Sequence, residues 1–466
     1  MKDKNKAKLI EGAKSSREMR TREQRIAAGK ALRAAVPRES HAKWKSSGKL
    51  RDPIDVLEKS NEGRLPELVP IRYGRMVQSP FTFLRGSAAL MAYDLANTPV
   101  TGIRVQACGD CHLLNFGIYA TAERNVVFDI NDFDETLPAP WEWDLKRLCI
   151  SFVVAGRDGK LSDRDSRAAA VQCARSYRER LREYSKLSPL EVWYTRLDEH
   201  MLIANAADAK AQKLRKRYAE KARERVAENL FPKIVAQADG KHRLVDQPPF
   251  LFHVAGKDFE KRVRDGLKAY RDTLPDERRH LLDCYRLHDF ALKVVGVGSV
   301  GTRCYVALAF SDDSQPLLLQ VKEARHSVLE PYAGKCKFEN QGERVVVGQR
   351  LMQSSSDIFL GWVHWKGGND FYVRQLRDMK MSVPVEGFSA EQLLRYGDVC
   401  GWALARSHAK SGDSKTISGY LGKSRAFEKT IGELAVAYAD QNDSDHAALV
   451  KAVRSGRVKA LREDEA

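Results

Sequence analysis

The stretch that decides the fold is Cys108-Gly-Asp-Cys-His-Leu-Leu-Asn-Phe-Gly117, followed by Asn131-Asp-Phe-Asp-Glu135. Between these two segments the pattern predicts a short hairpin, with strands over residues 118–120 and 126–129 and a turn between them. A hairpin brings the residues at its two ends together. We therefore expect the carboxylate and amide side chains of the two segments to converge from adjacent loops.

The first segment carries Asp110 and Asn115 in the spacing D-x-x-x-x-N. A kinase catalytic loop uses this spacing, in which the Asp accepts the proton of the acceptor hydroxyl and the Asn holds a metal ion. Asp132, in a D-F-x context after the hairpin, matches the second metal ligand. This chemistry needs such spacing because the base and the metal ligands must meet at one γ-phosphate.

The match is closer to aminoglycoside-phosphotransferase-type kinases, whose loop reads G-D-x-H-x-x-N and is followed by I-D-W/F and D-L-A motifs. The matching residues here are Gly109, Asp110, His112, Asn115, Asp132-Phe133 and Asp144-Leu145. This resemblance implies that Asp110 and His112 form the catalytic loop, with His112 bracing it, and that Asn115 and Asp132 bind metal. Asp144 is expected to be a structural hydrogen-bond acceptor.

A glycine-rich loop and a lysine-bearing strand follow these segments. The loop is Val294-Val-Gly-Val-Gly-Ser-Val-Gly301, a G-x-G-x-x-G sequence that leads into further strands. Strands after such a loop favour a kinase lobe over a Rossmann site, where a helix would follow. Lys322, on a strand over residues 317–323, resembles the phosphate-pairing lysine, with Glu330 or Glu343 as its partner. The expected nucleotide-binding residues are Gly296, Gly298, Ser299, Gly301, Lys322 and Glu343.

The order of these parts predicts a circularly permuted chain. In kinases the glycine loop and the lysine precede the catalytic loop. Here they follow it, and so does the helix that should run into it, best matched by residues 395–410. We expect a two-lobed, protein kinase-like α+β fold in which Lys322 faces Asp132 across one cleft. The expected divisions are a basic N-terminal tail (1–52), a catalytic hairpin and helical lobe (53–290), a β-rich nucleotide lobe (291–383) and a helical return (384–466).

The function predicted from these motifs is transfer of a phosphoryl group from Mg²⁺-ATP to an acceptor that the motifs do not identify. One alternative is a pseudokinase that binds nucleotide without transfer, or an enzyme that transfers AMP. Another is a nucleic-acid-associated protein that acts through its basic tail. Residues 1–50 carry +10 of the net charge of +17, so weak contact with nucleic acid or an anionic surface is expected there.

Composition places the chain in a broad class. Neither an export signal nor an apolar run of about 20 residues is recognisable, so we expect a cytoplasmic protein with no membrane span. Its eight cysteines are scattered and are expected to be reduced thiols. Cys108-Gly-Asp-Cys-His112 also spells the haem-attachment pattern C-x-x-C-H, which the lack of an export signal disfavours.

The chain from about Leu65 also resembles a bacterial family known as domain of unknown function 2252. The segments that carry this resemblance are residues 79–86, 109–117, 131–135, 373–380 and 402–409. The family name implies no activity. The kinase-like interpretation therefore depends on the residues described above.

Overall fold

The chain forms an α+β fold that combines a six-stranded antiparallel sheet with a larger helical body. The structure is a computed structural model that describes residues 20–44, 51–206, 208–238, 240–254, 256–311, 315–365 and 367–461. Its helices, α1 to α18 in order, are Arg22–Ala31, Pro53–Asn61, Val69–Met76, Pro80–Gly86, Ala88–Leu95, Trp141–Asp158, Asp163–Tyr184, Pro189–Tyr194, Glu199–Ala204, Ala209–Arg223, Ala227–Ile234, Lys257–Arg271, Asp276–Asp283, Glu330–Ala333, Gln341–Met352, Ala390–Ser411, Ser414–Leu421 and Ala426–Arg454. Its strands, β1 to β13, are Arg104–Ala107, Phe116–Ala120, Val126–Ile130, Leu137–Pro140, Val235–Ala238, Lys241–Leu244, Leu251–Phe252, Arg286–Lys293, Cys304–Phe310, Pro316–Ala324, Gly361–Trp365, Asn369–Gln375 and Met381–Ser382.

The six-stranded sheet has the order β11-β12-β10-β9-β8-β7. The predicted succession of strand, glycine loop, strand and lysine strand is confirmed by β8, β9 and β10, which are neighbours. Side chains along a strand alternate between its two faces. Every residue of β9 is buried because helix α12 covers one face of the sheet, through Phe259 and Val263, and α11 covers the other, through Leu230 and Ile234.

The β-rich region begins earlier than the predicted boundary at residue 291. Strand β8 spans Arg286–Lys293, so that boundary cuts through it, and β7 precedes it at Leu251–Phe252. Helices α11 to α13 cover the sheet rather than joining the helical body. The start of β8 was missed because its first four residues, Arg-Leu-His-Asp, alternate between exposed and half-buried positions and lack an apolar run.

The helical body is built around α6, α7, α16 and α18. Almost every residue of α6 is buried, as expected for a helix at the centre of a body. The predicted helix at residues 395–410 is confirmed by α16, Ala390–Ser411. The hairpin of β2 and β3 packs on this helix, and Tyr396 Oη donates to the Leu113 carbonyl at 2.8 Å. Strand β13 adds a third strand to the hairpin and pairs antiparallel with β2.

Part of the predicted basic tail is packed against the helical body. Helix α1 lies against α17, where Arg25 Nε donates to Asp413 at 2.9 Å. Arg33 donates to carbonyls at the end of α17, which a helix leaves without partners of its own. Arg51 is buried between the carboxylates of Asp94 and Asp445.

The prediction of a separate tail over residues 1–52 is therefore wrong for residues 20–44 and 51–52. The charge count misled because several of these arginines pair inside the fold instead of facing solvent. Residues 1–19 and 45–50 lie outside the described part of the chain. Within the described ranges, none of the helices has the length and apolar character needed to cross a membrane.

Candidate functional site

A cavity of about 780 Å³ lies between the sheet and the helical body. Helices α2 to α5, the segments around the β2–β3 hairpin, and the glycine loop contribute to its walls. Seven of the ten residues predicted for the site line this cavity: Asp110, His112, Asn115, Asp132, Gly296, Gly298 and Ser299. The structure therefore gathers segments that are nearly 200 residues apart in the sequence.

Asp144, in the first turn of α6, holds the loop that precedes β2. The Asp144 carboxylate accepts the backbone N–H groups of Cys108, at 2.8 Å, and Gly109, at 3.0 Å. His408, near the end of α16, approaches the same carboxylate at 3.3 Å through Nε2. Gly109 has φ +86°, and a Cβ there would lie 2.4 Å from the Glu135 carbonyl oxygen. The expected structural role of Asp144 matches these contacts.

Asp110 is paired with an arginine that the sequence analysis did not identify. Arg147, on α6, donates from Nε to Asp110 Oδ1 at 2.6 Å, and its guanidinium is buried. His112 Nε2 lies 3.8 Å from the other carboxylate oxygen. Burial lowers the pKa of His112 to about 4, so its imidazole is neutral near pH 7. His112 therefore borders Asp110 as an uncharged side chain.

The hairpin joins Asn115 to the segment that carries Asp132. Asn115 Nδ2 donates to the Asp110 carbonyl at 2.6 Å, and the Asn115 carbonyl accepts the Asn131 N–H at 2.8 Å. Asp132 accepts the backbone N–H of Asp134 at 3.2 Å. Burial by itself would raise the pKa of Asp132, but the charges of Lys322 and Arg374 outweigh burial and hold it at about 2. Asp132 is therefore ionised.

Lys322 lies in the same charge cluster as Asp132. Its ammonium group pairs with Asp134 Oδ2, the second carboxylate of the D-F-D segment. Asp134 also accepts hydrogen bonds from Tyr372 Oη, at 2.7 Å, and from Ser299 Oγ, at 3.3 Å. Burial opposes the charged form of Lys322, yet Asp132 and Asp134 raise its pKa well above the usual range. Asp134 thus links the lysine strand, the glycine loop and the hairpin.

The prediction that a glutamate pairs with Lys322 is wrong. Asp134 pairs with Lys322 in place of Glu330 or Glu343. On α15 the neighbouring residue, Arg344, faces the site. Its guanidinium is buried and donates to the carbonyls of Thr136 at 2.7 Å, Asp134 at 2.9 Å and Arg325 at 2.6 Å. The sequence analysis favoured Glu343 because protein kinases pair this lysine with a glutamate. The sequence of α15 did not show that Arg344, the next residue, faces the site instead.

The glycine loop is docked on the helical body. Gly296 and Gly301 have φ of +67° and +87°, which an L side chain rarely adopts. Between them, Val297 is 7% exposed and packs in a cluster with residues of α2 to α5 and α18. At the end of the loop the Gly301 carbonyl accepts the Leu65 N–H at 2.8 Å. The loop therefore bridges the sheet and the helices α2 to α5.

Several cations line the cavity that motif analysis did not predict. They are Lys59, Arg64, Arg72, Arg85, Arg325, Arg374 and Lys380. Burial and the neighbouring Arg374 lower the pKa of Lys380 to about 7. Arg85 lies in the segment 79–86, and Arg374 and Lys380 lie in the segment 373–380, both of which carry the family resemblance, but only the fold brings these cations to one cavity. The sequence did contain a partial signal for Asp134, the partner of Lys322, because Asp134 is the second carboxylate of the D-F-D segment.

Comparison with known proteins identifies the family. The chain belongs to the family described as "Uncharacterized protein conserved in bacteria (DUF2252)", whose model matches residues 64–452. The matched region includes the whole of the cavity described above except its contributions from α2. No curated protein and no solved structure matches the chain.

Proposed function

We propose that this protein is a Mg²⁺-ATP-dependent phosphotransferase with a permuted, two-lobed, kinase-like fold. The observation that carries the proposal is the meeting of Lys322 with the D-F-D segment at a cavity that Asp110 and Asn115 also line. Asp and Asn are common in turns. Turn preference alone gives no reason for these side chains to face one cavity while Asp134, beside them, pairs with a lysine from a distant strand.

The order of elements in the sheet supports the same proposal. Strand β8, the glycine loop, β9, the Lys322 strand β10 and helix α15 follow one another along the chain. Protein kinases carry a glycine-rich loop, a lysine on the third strand and a following helix in this order. The catalytic hairpin and α16 meet in space although α16 comes much later in the chain. Permutation allows this, because the parts of a site need only be neighbours in the fold.

The residues present fit a magnesium ion. Mg²⁺ prefers carboxylate and carbonyl oxygens and usually retains several waters. Asp132 offers an ionised carboxylate, and the Nδ2 of Asn115 is already used as a donor to Asp110, which leaves its Oδ1 available as a ligand. Bound between these two residues, the metal would neutralise charge on the transferred phosphoryl group.

The residues of this chain would act mainly by positioning and charge. Lys322 would orient the phosphates, and the backbone of residues 296–301 would cover them. Asp110 would orient the acceptor hydroxyl and accept its proton as the new bond from oxygen to the γ-phosphorus forms. The bond from that phosphorus to ADP breaks in the same displacement. Asp134 takes the place of the helix glutamate that holds the lysine in protein kinases.

The ion pair of Asp110 with buried Arg147 favours one alternative, nucleotide binding without transfer. Arg147 Nε already donates to Asp110 Oδ1 at 2.6 Å, so this oxygen is occupied before an acceptor hydroxyl could bind to it. In that case the protein would bind Mg²⁺-ATP through Asp132 and Lys322 yet release no labelled γ-phosphate to any acceptor. Binding and transfer must therefore be measured separately.

The experiment compares the wild type with Asp132→Asn and with a matched control, Asp265→Asn, whose carboxylate is exposed on α12. We expect ATP to raise the melting temperature of the wild type and the control only when Mg²⁺ is present. Asp132→Asn should lose this shift because its amide is neutral. Transfer of radiolabelled γ-phosphate to a bacterial metabolite extract then tests the reaction. An unchanged shift in folded Asp132→Asn would contradict the proposal.

A further inference from the structure

A cluster of three arginines forms one wall of the cavity, and the phosphotransfer chemistry proposed above does not use it. The cluster consists of Arg64, Arg72 and Arg325. Arg64 and Arg72 precede the catalytic loop, whereas Arg325 follows the Lys322 strand. We refer to these three residues as the arginine wall.

The hydrogen bonds of the arginine wall go to neutral acceptors. Arg64 donates to the carbonyls of Ser60 and Val300, at 3.2 and 2.6 Å, and Arg325 donates to the Ser60 carbonyl at 3.3 Å. Arg72 donates to the Gly86 carbonyl at 2.6 Å and to the side-chain oxygen of Asn61. These contacts fix the positions of the guanidinium groups but leave their positive charge uncompensated.

The two nearest carboxylates neutralise this charge poorly. Glu323 is engaged by Arg303, at 3.3 Å, and by the amide of Asn369, at 2.9 Å. Burial raises the pKa of Glu135 to about 7, so near neutral pH it is protonated in a large fraction of molecules. Burial and the charges of Arg72 and Arg325 also lower the pKa of Arg64. Like charges held together in this way favour a bound anion.

Arg72 contributes a buried guanidinium to the wall. It is 2% exposed, yet its Nε has no hydrogen-bond partner among the described residues. A buried donor without a partner is costly, and each one in a folded protein calls for an explanation. Arg72 lines the cavity, and an oxyanion bound there would be attracted by its positive charge, because guanidinium groups match phosphate and carboxylate oxygens.

We propose that the arginine wall binds an anionic group of the acceptor, so that the acceptor is a small molecule that carries a phosphate or a carboxylate besides its reactive hydroxyl. This assignment rests on the proposed phosphotransferase function. The nucleotide phosphates would be matched by Lys322, the glycine loop and the metal. Arg85 extends the positive charge toward Asp110, since it lines the same cavity and its charge acts on that carboxylate.

Sulfate is a suitable probe because its charge is constant around neutral pH. Isothermal titration with sulfate, at ionic strength held constant with chloride, should show saturable binding to the wild type. Arg325→Gln and Arg64→Gln should each weaken it at least tenfold, since each removes a cation of the wall. Arg264→Gln, an exposed arginine on α12, is the matched control and should bind like the wild type. Arg325→Lys, which keeps the charge but not the fork of donors, should lie between them.

A second titration separates the acceptor subsite from the nucleotide site. Sulfate should still bind when a non-hydrolysable ATP analogue and Mg²⁺ are saturating. Competition between the two would assign the wall to nucleotide phosphates and overturn the proposal, as would absence of sulfate binding to the wild type. Sulfate binding without any binding of the analogue would support the anion site while contradicting the phosphotransferase function. Parallel titrations with inorganic phosphate and acetate distinguish a phosphate-bearing from a carboxylate-bearing acceptor.

Discussion

Glu135 gives the sharpest test of the electrostatics of the cavity. It follows Asp134 at the end of the D-F-D segment, and its Oε2 accepts the backbone N–H of Val328 at 2.7 Å. Burial raises the pKa of Glu135 from its ordinary value of 4.5 to about 7, although the hydrogen bond from Val328 and the charge of Arg344 act in the opposite direction. Replacing this residue by Gln keeps a hydrogen-bond acceptor and removes the titration.

The pKa difference sets the size of the effect. The folded protein holds the Glu135 proton more tightly than the unfolded chain does, so the associated stability is present below pH 4.5. It is lost as the pH rises through about 7. A shift from 4.5 to 7 corresponds to about 3 kcal/mol, at about 1.4 kcal/mol for each pKa unit. Relative to wild type, Glu135→Gln should therefore become more stable by about this amount between pH 4.5 and pH 8.

Urea denaturation of both proteins, followed by tryptophan fluorescence from pH 4.5 to pH 8.5, measures this difference. Taking the difference between the two proteins cancels the titration of all groups that they share. The control is Glu260→Gln on the exposed side of α12, which makes the same substitution away from the cavity and serves as the reference for the comparison. A Glu135→Gln difference that stays flat across this range would refute the reasoning.

Three further predictions concern the loop, its anchor and the packed N-terminal segment. Asp110→Asn should lower any transfer rate by a factor on the order of 10² or more, yet leave the affinity for ATP within a few-fold of wild type. Equal losses of transfer rate and ATP affinity would exclude a role of Asp110 toward the acceptor. Asp144→Ala should destabilise the protein by about 2–4 kcal/mol because two buried N–H groups lose their acceptor, as measured by the urea midpoint. Arg51→Leu should cost about 3–5 kcal/mol because it leaves Asp94 and Asp445 buried together without a cation, and a cost under 1 kcal/mol would contradict the importance of this pair.

The sequence was most informative where local patterns are short and strongly constrained. The hairpin, the glycine loop, the Lys322 strand and the helix at residues 395–410 were all predicted close to their observed positions. Each has a signal that lies within about ten residues: alternating apolar side chains, glycines that turn the chain, or a helical apolar face. The same signals were weak for β8, whose charged first half hid the start of the sheet.

Charge counts were less informative than these patterns. The excess of Lys and Arg before residue 50 suggested a solvated tail, but a count contains no information about partners. In the fold Arg25 meets Asp413, Arg33 meets the end of α17, and Arg51 lies between two carboxylates from distant helices. Such pairings depend on residues nearly 400 positions away, so no local pattern could have revealed them.

The chemical groups around the hairpin could be predicted from the sequence, because the spacing of Asp110, Asn115 and Asp132 limits which loops can carry them. Only the tertiary structure decided their partners: Arg147 on Asp110, Asp134 rather than a helix glutamate on Lys322, and three arginines on one wall. The physical reason is that electrostatic partners are chosen by distance in space and by burial. Segments before and after the loop of Asp110 and Asn115 reach the same cavity, and the positions of these residues in the sequence give no sign of their proximity.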